Sequence, residues 1–236
     1  MSLVSSVRVL GAMARITAPT LLDVARGSLA RSAIDERARW FGRRVVELLD
    51  IELTATGAEH VPARAVVYMS NHQSHLDIPV LFATLPSPTI RMLAKAELFR
   101  IPLWGRGLRA AEFIEVDRGN HTRAVQSIEH AARLVRDGVS IWVAPEGTRS
   151  VDGRIGKLKK GGFHLALATG TPIVPVAIRG TLAILPRGAK VMRLHQVVSV
   201  QIGAPIDVAG RDLLGLMGEV SEFLVQNVEN VTGNLR

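Results

Sequence analysis

Val66-Val67-Tyr68-Met69-Ser70-Asn71-His72-Gln73-Ser74-His75-Leu76-Asp77 changes character twice within twelve residues. The uninterrupted apolar run at its start reads as a strand buried on both faces. The polar stretch after it reads as a turn, and the apolar residues from 75 to 84 predict a helix. Strand, polar turn and helix in that order form half of a β-α-β unit. Outward from it the alternation repeats. Strands are predicted at 51–56, 66–69, 90–93, 113–116, 140–143, 173–178 and 197–202. Helices are predicted at 75–84, 103–110, 121–137, 162–169 and 210–230. Gly170, with Pro172 beyond, is a stop signal for the helix at 162–169. The pattern predicts a single α/β domain over residues 51–236. Its sheet should be largely parallel, with some mixed pairing, and flanked by helices. In such sheets ligands bind beyond the carboxyl ends of the strands, where the polar motifs of this chain fall.

The chain has 236 residues, 47% of them hydrophobic and 21% charged, which excludes wholesale disorder. It has no cysteine, so disulfides, thiolate metal sites and cysteine nucleophiles are excluded together. Lys plus Arg is 29 against 21 Asp plus Glu, a formal charge of +8. The mean hydropathy is nevertheless +0.22. Nucleic-acid binders are basic too, but they use aromatic stacking, and here aromatics are 4% with one tyrosine, Tyr68. Basic and greasy together favour an anionic membrane surface. No transmembrane helix is expected, because Arg8 and Arg15 interrupt the greasiest stretch.

Residues 1–50 read as helical. Leu3, Val7, Leu10 and Ala14 share one helical face, and Pro19 is expected to end the first helix, with Thr20 capping a second that runs to about Asp50. This segment carries eight arginines and no lysine against five acids, a net +3, with Trp40 and Phe41 among the arginines. Two readings fit: an amphipathic segment lying on a bilayer, or a helix pair packed on the domain with a solvated basic face.

Three polar stretches carry chemistry. His72 and Asp77 are five apart across a strand-to-helix turn. A carboxylate on the first helical turn can fix the imidazole tautomer and leave its other nitrogen as a general base. With seven histidines and nine aspartates, chance alone supplies roughly a quarter of such a pair. A structural histidine, a metal site from His72, His75 and Asp77, and a Ser74 nucleophile are therefore rival readings. The last lacks the glycines of a nucleophile elbow. Ala144-Pro145-Glu146-Gly147-Thr148-Arg149-Ser150 follows a second apolar strand and suits an anionic, hydroxylated ligand. Its arginine offers a fork for phosphate, its glutamate an acceptor for hydroxyls, and its glycine close backbone approach. Residues 149–160 carry a net +4 and lead to Gly161-Gly162 at a helix start. Spacing excludes a Walker loop, and a solvated basic hairpin is the plainer alternative. Phe113-Ile114-Glu115-Val116-Asp117-Arg118 brings an arginine to the end of a third strand.

In this order, the segments Asn71–Asp77, Phe113–Arg118, Pro145–Ser150 and Ile173–Ile178 resemble the four blocks of the lysophospholipid acyltransferase family. The resemblance covers about residues 50–205 and is nearest the bacterial 1-acylglycerol-3-phosphate acyltransferase type. Lys95-Ala96-Glu97-Leu98 is similar to the family's connector. Ala144 stands where an aromatic is common, and Glu115-Val116 separates Phe113-Ile114 from Asp117-Arg118.

The resemblance implies acyl transfer from a thioester to the free hydroxyl of lysophosphatidic acid. His72 would be the base and Asp77 its orienter, with Lys95 beside the developing oxyanion. Arg118, Glu146, Gly147, Thr148 and Arg149 would hold the glycerol phosphate. No metal or cofactor is implied; acyl-CoA or acyl carrier protein is the co-substrate. The implied location is the cytoplasmic face of a membrane, with residues 1–50 as the contact. The remaining alternatives are the same chemistry on another acceptor (glycerol-3-phosphate, a lyso-aminolipid or a glycolipid), a non-catalytic binder of anionic membranes or nucleic acid, and a metal-dependent hydrolase.

Overall fold

The computed structural model describes residues 3–117, 119, 121–189 and 191–229. Two helices lead, α1 (Leu3–Arg26) and α2 (Arg31–Leu48). Then come β1 (Glu52–Thr56), β2 (Val67–Ser70), α3 (Asp77–Thr84), β3 (Ile90–Lys95), α4 (Ala96–Phe99) and α5 (Trp104–Ala110). The chain continues through β4 (Ile114–Val116), α6 (His121–Arg136), β5 (Ser140–Val143), α7 (Gly161–Thr169) and β6 (Ile173–Arg179). It closes with α8 (Thr181–Ile184), β7 (Val197–Ile202) and α9 (Leu213–Val228).

The seven strands form one sheet in the order β1-β7-β6-β2-β5-β3-β4. Every pairing is parallel except β6 with β7. The expected single α/β domain with a mixed, mostly parallel sheet is what the chain forms. Each central strand divides its side chains between two cores. Val66, Tyr68, Trp142, Val174 and Val176 enter the core under α1, α2 and α3. Val67, Met69, Ile141, Val143 and Ile173 enter the one under α6, α7 and α9. The period of two, invisible in strands buried on both sides, is thus real in three dimensions.

The N-terminal helices depart from expectation. Pro19 does not end α1, which runs through it to Arg26. On either side of it the Thr17 and Thr20 hydroxyls donate to the Met13 and Ile16 carbonyls, at 2.8 and 2.7 Å. Arg37 of α2 donates to both Thr20 and Asp23, clasping the helix beyond the proline. The break comes at Gly27, whose φ of +66° suits glycine. Thr20 is therefore interior to a helix and not a cap. Nor do the arginines form one solvated face. Arg31 pairs with Glu112, Arg39 donates to the Ser87 and Pro88 carbonyls, and Arg15 stacks on Trp40 at 5.2 Å. The face of α1 that packs on the domain carries Ser5, Ser6, Val9 and Ala12, while Val4, Val7 and Leu10 point outward.

Candidate functional site

β2, β5 and β3 lie side by side and parallel, so the turns at their carboxyl ends open onto the same edge. Three sequence-distant motifs meet there.

The turn after β2 is organised around one carboxylate. Asp77 is fully buried at the start of α3. Its Oδ2 accepts from the backbone N–H of Gln73 at 2.7 Å and of Ser74 at 2.9 Å. Its Oδ1 accepts from the Thr181 hydroxyl of α8. His72 Nδ1 lies 2.7 Å from Oδ2. Backbone N–H groups can only donate, so Oδ2 is an acceptor, and Nδ1 is the ring nitrogen that carries hydrogen. Nε2 is left with its lone pair and no partner among the described residues. The ring stands edge-on to Trp142, with centroids 5.9 Å apart at 87°. The Trp142 indole is fixed in turn by donating to Ser70 Oγ at 2.9 Å. Asn71 extends the sheet by side chain: it donates to the Ile178 carbonyl and accepts from the Ile178 N–H, both at 2.8 Å.

The loop after β5 is stapled to this turn. Gly147 turns the chain with φ +74°. Glu146, expected to accept from a ligand hydroxyl, instead takes the His72 backbone N–H at 2.9 Å and the Gly156 N–H at 2.8 Å, one on each carboxylate oxygen. It is a brace between the two loops. Burial raises its carboxyl above the ordinary value, against the lowering effect of those two donors. The Ser150 N–H returns to the His72 carbonyl at 2.7 Å.

These loops rim a cavity of about 1550 Å³. His72, Lys95, Glu146, Gly147, Thr148 and Arg149 all line it. Lys95 ends β3, and its charge reaches His75. Loss of hydration, then the Arg149 charge and the neighbouring His72, hold the His75 ring below its usual value, Lys95 adding to the effect and Asp77 opposing it. His75 therefore stays neutral near pH 7. Away from the rim the cavity turns apolar, between Met13 and Ile16 of α1, Ile34 and Phe41 of α2, and Leu108 of α5.

Not every expected residue falls in place. Arg118 lies outside the described residues. Its neighbour Asp117 accepts from Arg123 at 3.2 Å and from the Gly119 N–H at 3.1 Å. Two residues of the site were not anticipated. Thr181 is one, 104 residues from the aspartate it holds. Arg187, on the rim after α8, is the other. A hydroxyl or an arginine near a strand end was the available signal, and neither sits in a recognisable motif.

A sequence model of the acyltransferase family matches residues 52–179, the span that carries every motif above. A chloroplastic 1-acyl-sn-glycerol-3-phosphate acyltransferase of Brassica napus is 37% identical over 160 residues, 67% of this chain and 46% of that one. The Escherichia coli 1-acyl-sn-glycerol-3-phosphate acyltransferase is 34% identical over 150 residues, 62% of this chain and 59% of that one. The chain spans about half the length of the plant relatives it matches. The crystal structure of the 1-acyl-sn-glycerophosphate (LPA) acyltransferase PlsC from Thermotoga maritima superposes with a TM-score of 0.84 at 27% identity, covering 99% of this chain and 97% of that one. With the family's span matched over more than half its length and the same fold from end to end, this chain belongs to the acyltransferase family.

Proposed function

We propose that this protein transfers a fatty acyl group from an acyl thioester to the free hydroxyl, at sn-2, of lysophosphatidic acid, giving phosphatidic acid. The observation that carries the reading is the His72–Asp77 pair, with Nε2 unpartnered at the wall of a cavity that is cationic at one end and apolar at the other. Similarity to proteins named for this acceptor supports it.

His72 Nε2 takes the proton of the acceptor hydroxyl as its oxygen attacks the thioester carbonyl. Asp77 keeps Nδ1–H pointed away from the substrate and stabilises the imidazolium that forms. Lys95 stabilises the negative charge developing on the carbonyl oxygen. The tetrahedral intermediate collapses, the C–S bond breaks, and the imidazolium returns its proton to the leaving thiolate. No acyl-enzyme is formed. A thioester is activated, so the residues perform the step without a metal or further cofactor. Arg149, with the backbone at Gly147 and Thr148, holds the acceptor phosphate, and Glu146 holds the loop that presents them. The acyl chain occupies the apolar end. The donor is acyl-CoA or acyl carrier protein. The protein works at an anionic membrane surface, reached through α1; among the described residues no helix is long and apolar enough to cross a membrane.

Thiol release from palmitoyl-CoA, with and without lysophosphatidic acid, tests the reading. Acceptor-dependent release should fall about a thousandfold or more in His72→Ala, with the thermal unfolding curve retained. Near-normal turnover in the variant overturns the mechanism. Release absent with CoA but present with acyl carrier protein would fix the donor.

A further inference from the structure

Arg187 sits at the cavity rim, in the turn that follows α8. Two bonds tie this segment to the catalytic turn. Ser74 Oγ donates to the Leu185 carbonyl at 2.9 Å, and Thr181 donates to Asp77. Arg149 reaches the same rim from the loop after β5, which the Ser150–His72 backbone bond holds in place. The two guanidiniums feel each other: incomplete hydration, and then the Arg187 charge, push Arg149 below the usual arginine value, against the pull of Asp77. Neither makes an ion pair or hydrogen bond among the described residues. That is unlike Arg31, Arg37, Arg91 and Arg109, each paired with a carboxylate. Two like charges on one rim, held by separate tethers and without a counter-ion among the described residues, are stabilised by an anion between them.

We propose that Arg187 and Arg149 form a two-arginine clamp for a phosphomonoester dianion, and that Arg187 selects acceptors with a terminal phosphate over those whose phosphate is a diester. The inference rests on the transferase reading above. A monoester presents three terminal oxygens and a charge of about −1.5 to −2 at pH 7. Two guanidinium forks take three oxygens from two sides. A diester offers two oxygens and one charge, and its head group occupies the direction from which the second fork comes. The acceptor is the source that fits the position. Its phosphate lies a few bonds from the hydroxyl that must meet His72. The phosphates of coenzyme A lie a whole pantetheine arm from the thioester.

The test compares wild type, Arg187→Gln and Arg187→Lys. Arg187 is exposed, so both variants should fold. With saturating palmitoyl-CoA, kcat/KM is measured for lysophosphatidic acid and for its phosphoethanolamine diester. The wild type should prefer the monoester. Arg187→Gln should lower kcat/KM for it by about 10–100-fold, mainly through KM, which is the range for losing a charge-assisted hydrogen bond. The monoester-to-diester ratio should fall about tenfold or more. Arg187→Lys, which keeps the charge without the fork, should recover part of it. An unchanged ratio, or a defect that appears in the KM of the donor, overturns the clamp. Binding of sn-glycerol-3-phosphate by calorimetry gives a readout independent of turnover. It should weaken in Arg187→Gln, and in the wild type it should weaken as pH falls through about 6, where a phosphomonoester gains its second proton. Equal affinity in the two proteins overturns the clamp whether or not acyl transfer occurs. Failure of wild type to use any acceptor while this difference persists would overturn the transferase reading and leave the clamp standing.

Discussion

Among the described residues Asp77 receives four hydrogen bonds, and only one of them comes from the His72 imidazole. The two backbone donors are local, supplied by the turn that also presents His72. The fourth comes from Thr181, buried without exposure, on an element that follows a different strand. Among the described residues its hydroxyl is the only group bonded to Oδ1, so it sets the tilt of the carboxylate plane and hence the direction of Nδ1–H. Thr181→Val keeps the volume and removes the donor. It should leave Oδ1 buried without its partner, at a cost of about 1–3 kcal/mol in stability. Activity should drop about tenfold or more in kcat, with KM for the acceptor little changed. Thr181→Ser restores the donor and should restore kcat even though it leaves a methyl-sized gap. A role in packing alone predicts the reverse ranking, with valine near wild type and serine impaired. Steady-state kinetics on the two variants decides between them.

Elements are held by pairings that hydrophobic periodicity does not report. Arg91, on β3, is 1% exposed, and its guanidinium donates to Asp35 of α2 at 2.6 Å. Glu112 lies 3.4 Å from the same guanidinium and binds Arg31 of α2 with both oxygens, at 2.6 and 2.8 Å. This network docks α2 beside β3, and Ile34 and Phe41 of the same helix line the apolar end of the cavity. Asp35→Ala would leave Arg91 buried without its nearest partner, a change that should destabilise the fold by about 3 kcal/mol or more in denaturant unfolding. The pH dependence has a definite sign. The Arg31 hydrogen bond holds the Glu112 carboxyl below its ordinary value of 4.5, partly opposed by burial and reinforced by the charges of Arg31 and Arg91. Glu112 therefore contributes stability that is fully present above the ordinary value and lost as pH falls through the lowered folded one. The stability difference between wild type and Glu112→Gln should be constant at neutral pH and shrink in acid. A difference that grows in acid would contradict the pairing. The same distinction governs what could be read beforehand. Each of the seven strands lies where apolar runs and turn residues put it, and α7 ends at Gly170, whose φ is +62°. Helices α4 and α8, four residues each, are too short for a period and went unseen. Pro19 misled because Arg37 of α2 clasps the helix just beyond it, and that is a tertiary fact. At the site, His72 and Asp77 were legible because their spacing is local. The brace by Glu146 and the approach of Thr181 and Arg187 depend on which strands become neighbours, and the sequence carries no local trace of that.

At the scale of the molecule, the cavity and the outer face of α1 belong to the same structure. Met13 and Ile16 look inward to the cavity, while Val4, Val7, Leu10 and Leu22 look outward with exposures of 59, 60, 62 and 48%. The inner contact of α1 is made by Ser5, Ser6, Val9 and Ala12, and Val4, Val7 and Leu10 on its other side are left uncovered. On the neighbouring α4–α5 segment, which packs against α1, Leu98, Ile101 and Leu103 are exposed too. Arg8 and Arg26 are exposed on α1 and have no ion-pair partner among the described residues. Apolar side chains interleaved with free arginines suit an anionic bilayer, where hydrocarbon burial and attraction to lipid phosphates act together. The same helix would then hold the membrane on one side and wall the acyl site on the other, so a lipid acceptor would reach His72 without crossing water. Replacing Val7 and Leu10 together by aspartate tests this. Both residues are exposed, so the double variant should unfold at the wild-type temperature and turn over a short-chain, water-soluble acceptor at the wild-type rate. Each lost anchor removes about 1.5–3 kcal/mol of apolar burial, and each added carboxylate is repelled by the surface. Binding to phosphatidylglycerol-containing vesicles should fall at least about tenfold, and with it acylation of an acceptor embedded in them. Wild-type binding should weaken as salt is raised, since the arginines contribute through charge. Equal co-sedimentation of the double variant and wild type would remove α1 from the membrane contact. The exposed residues of the α4–α5 segment would then be the surface to replace next.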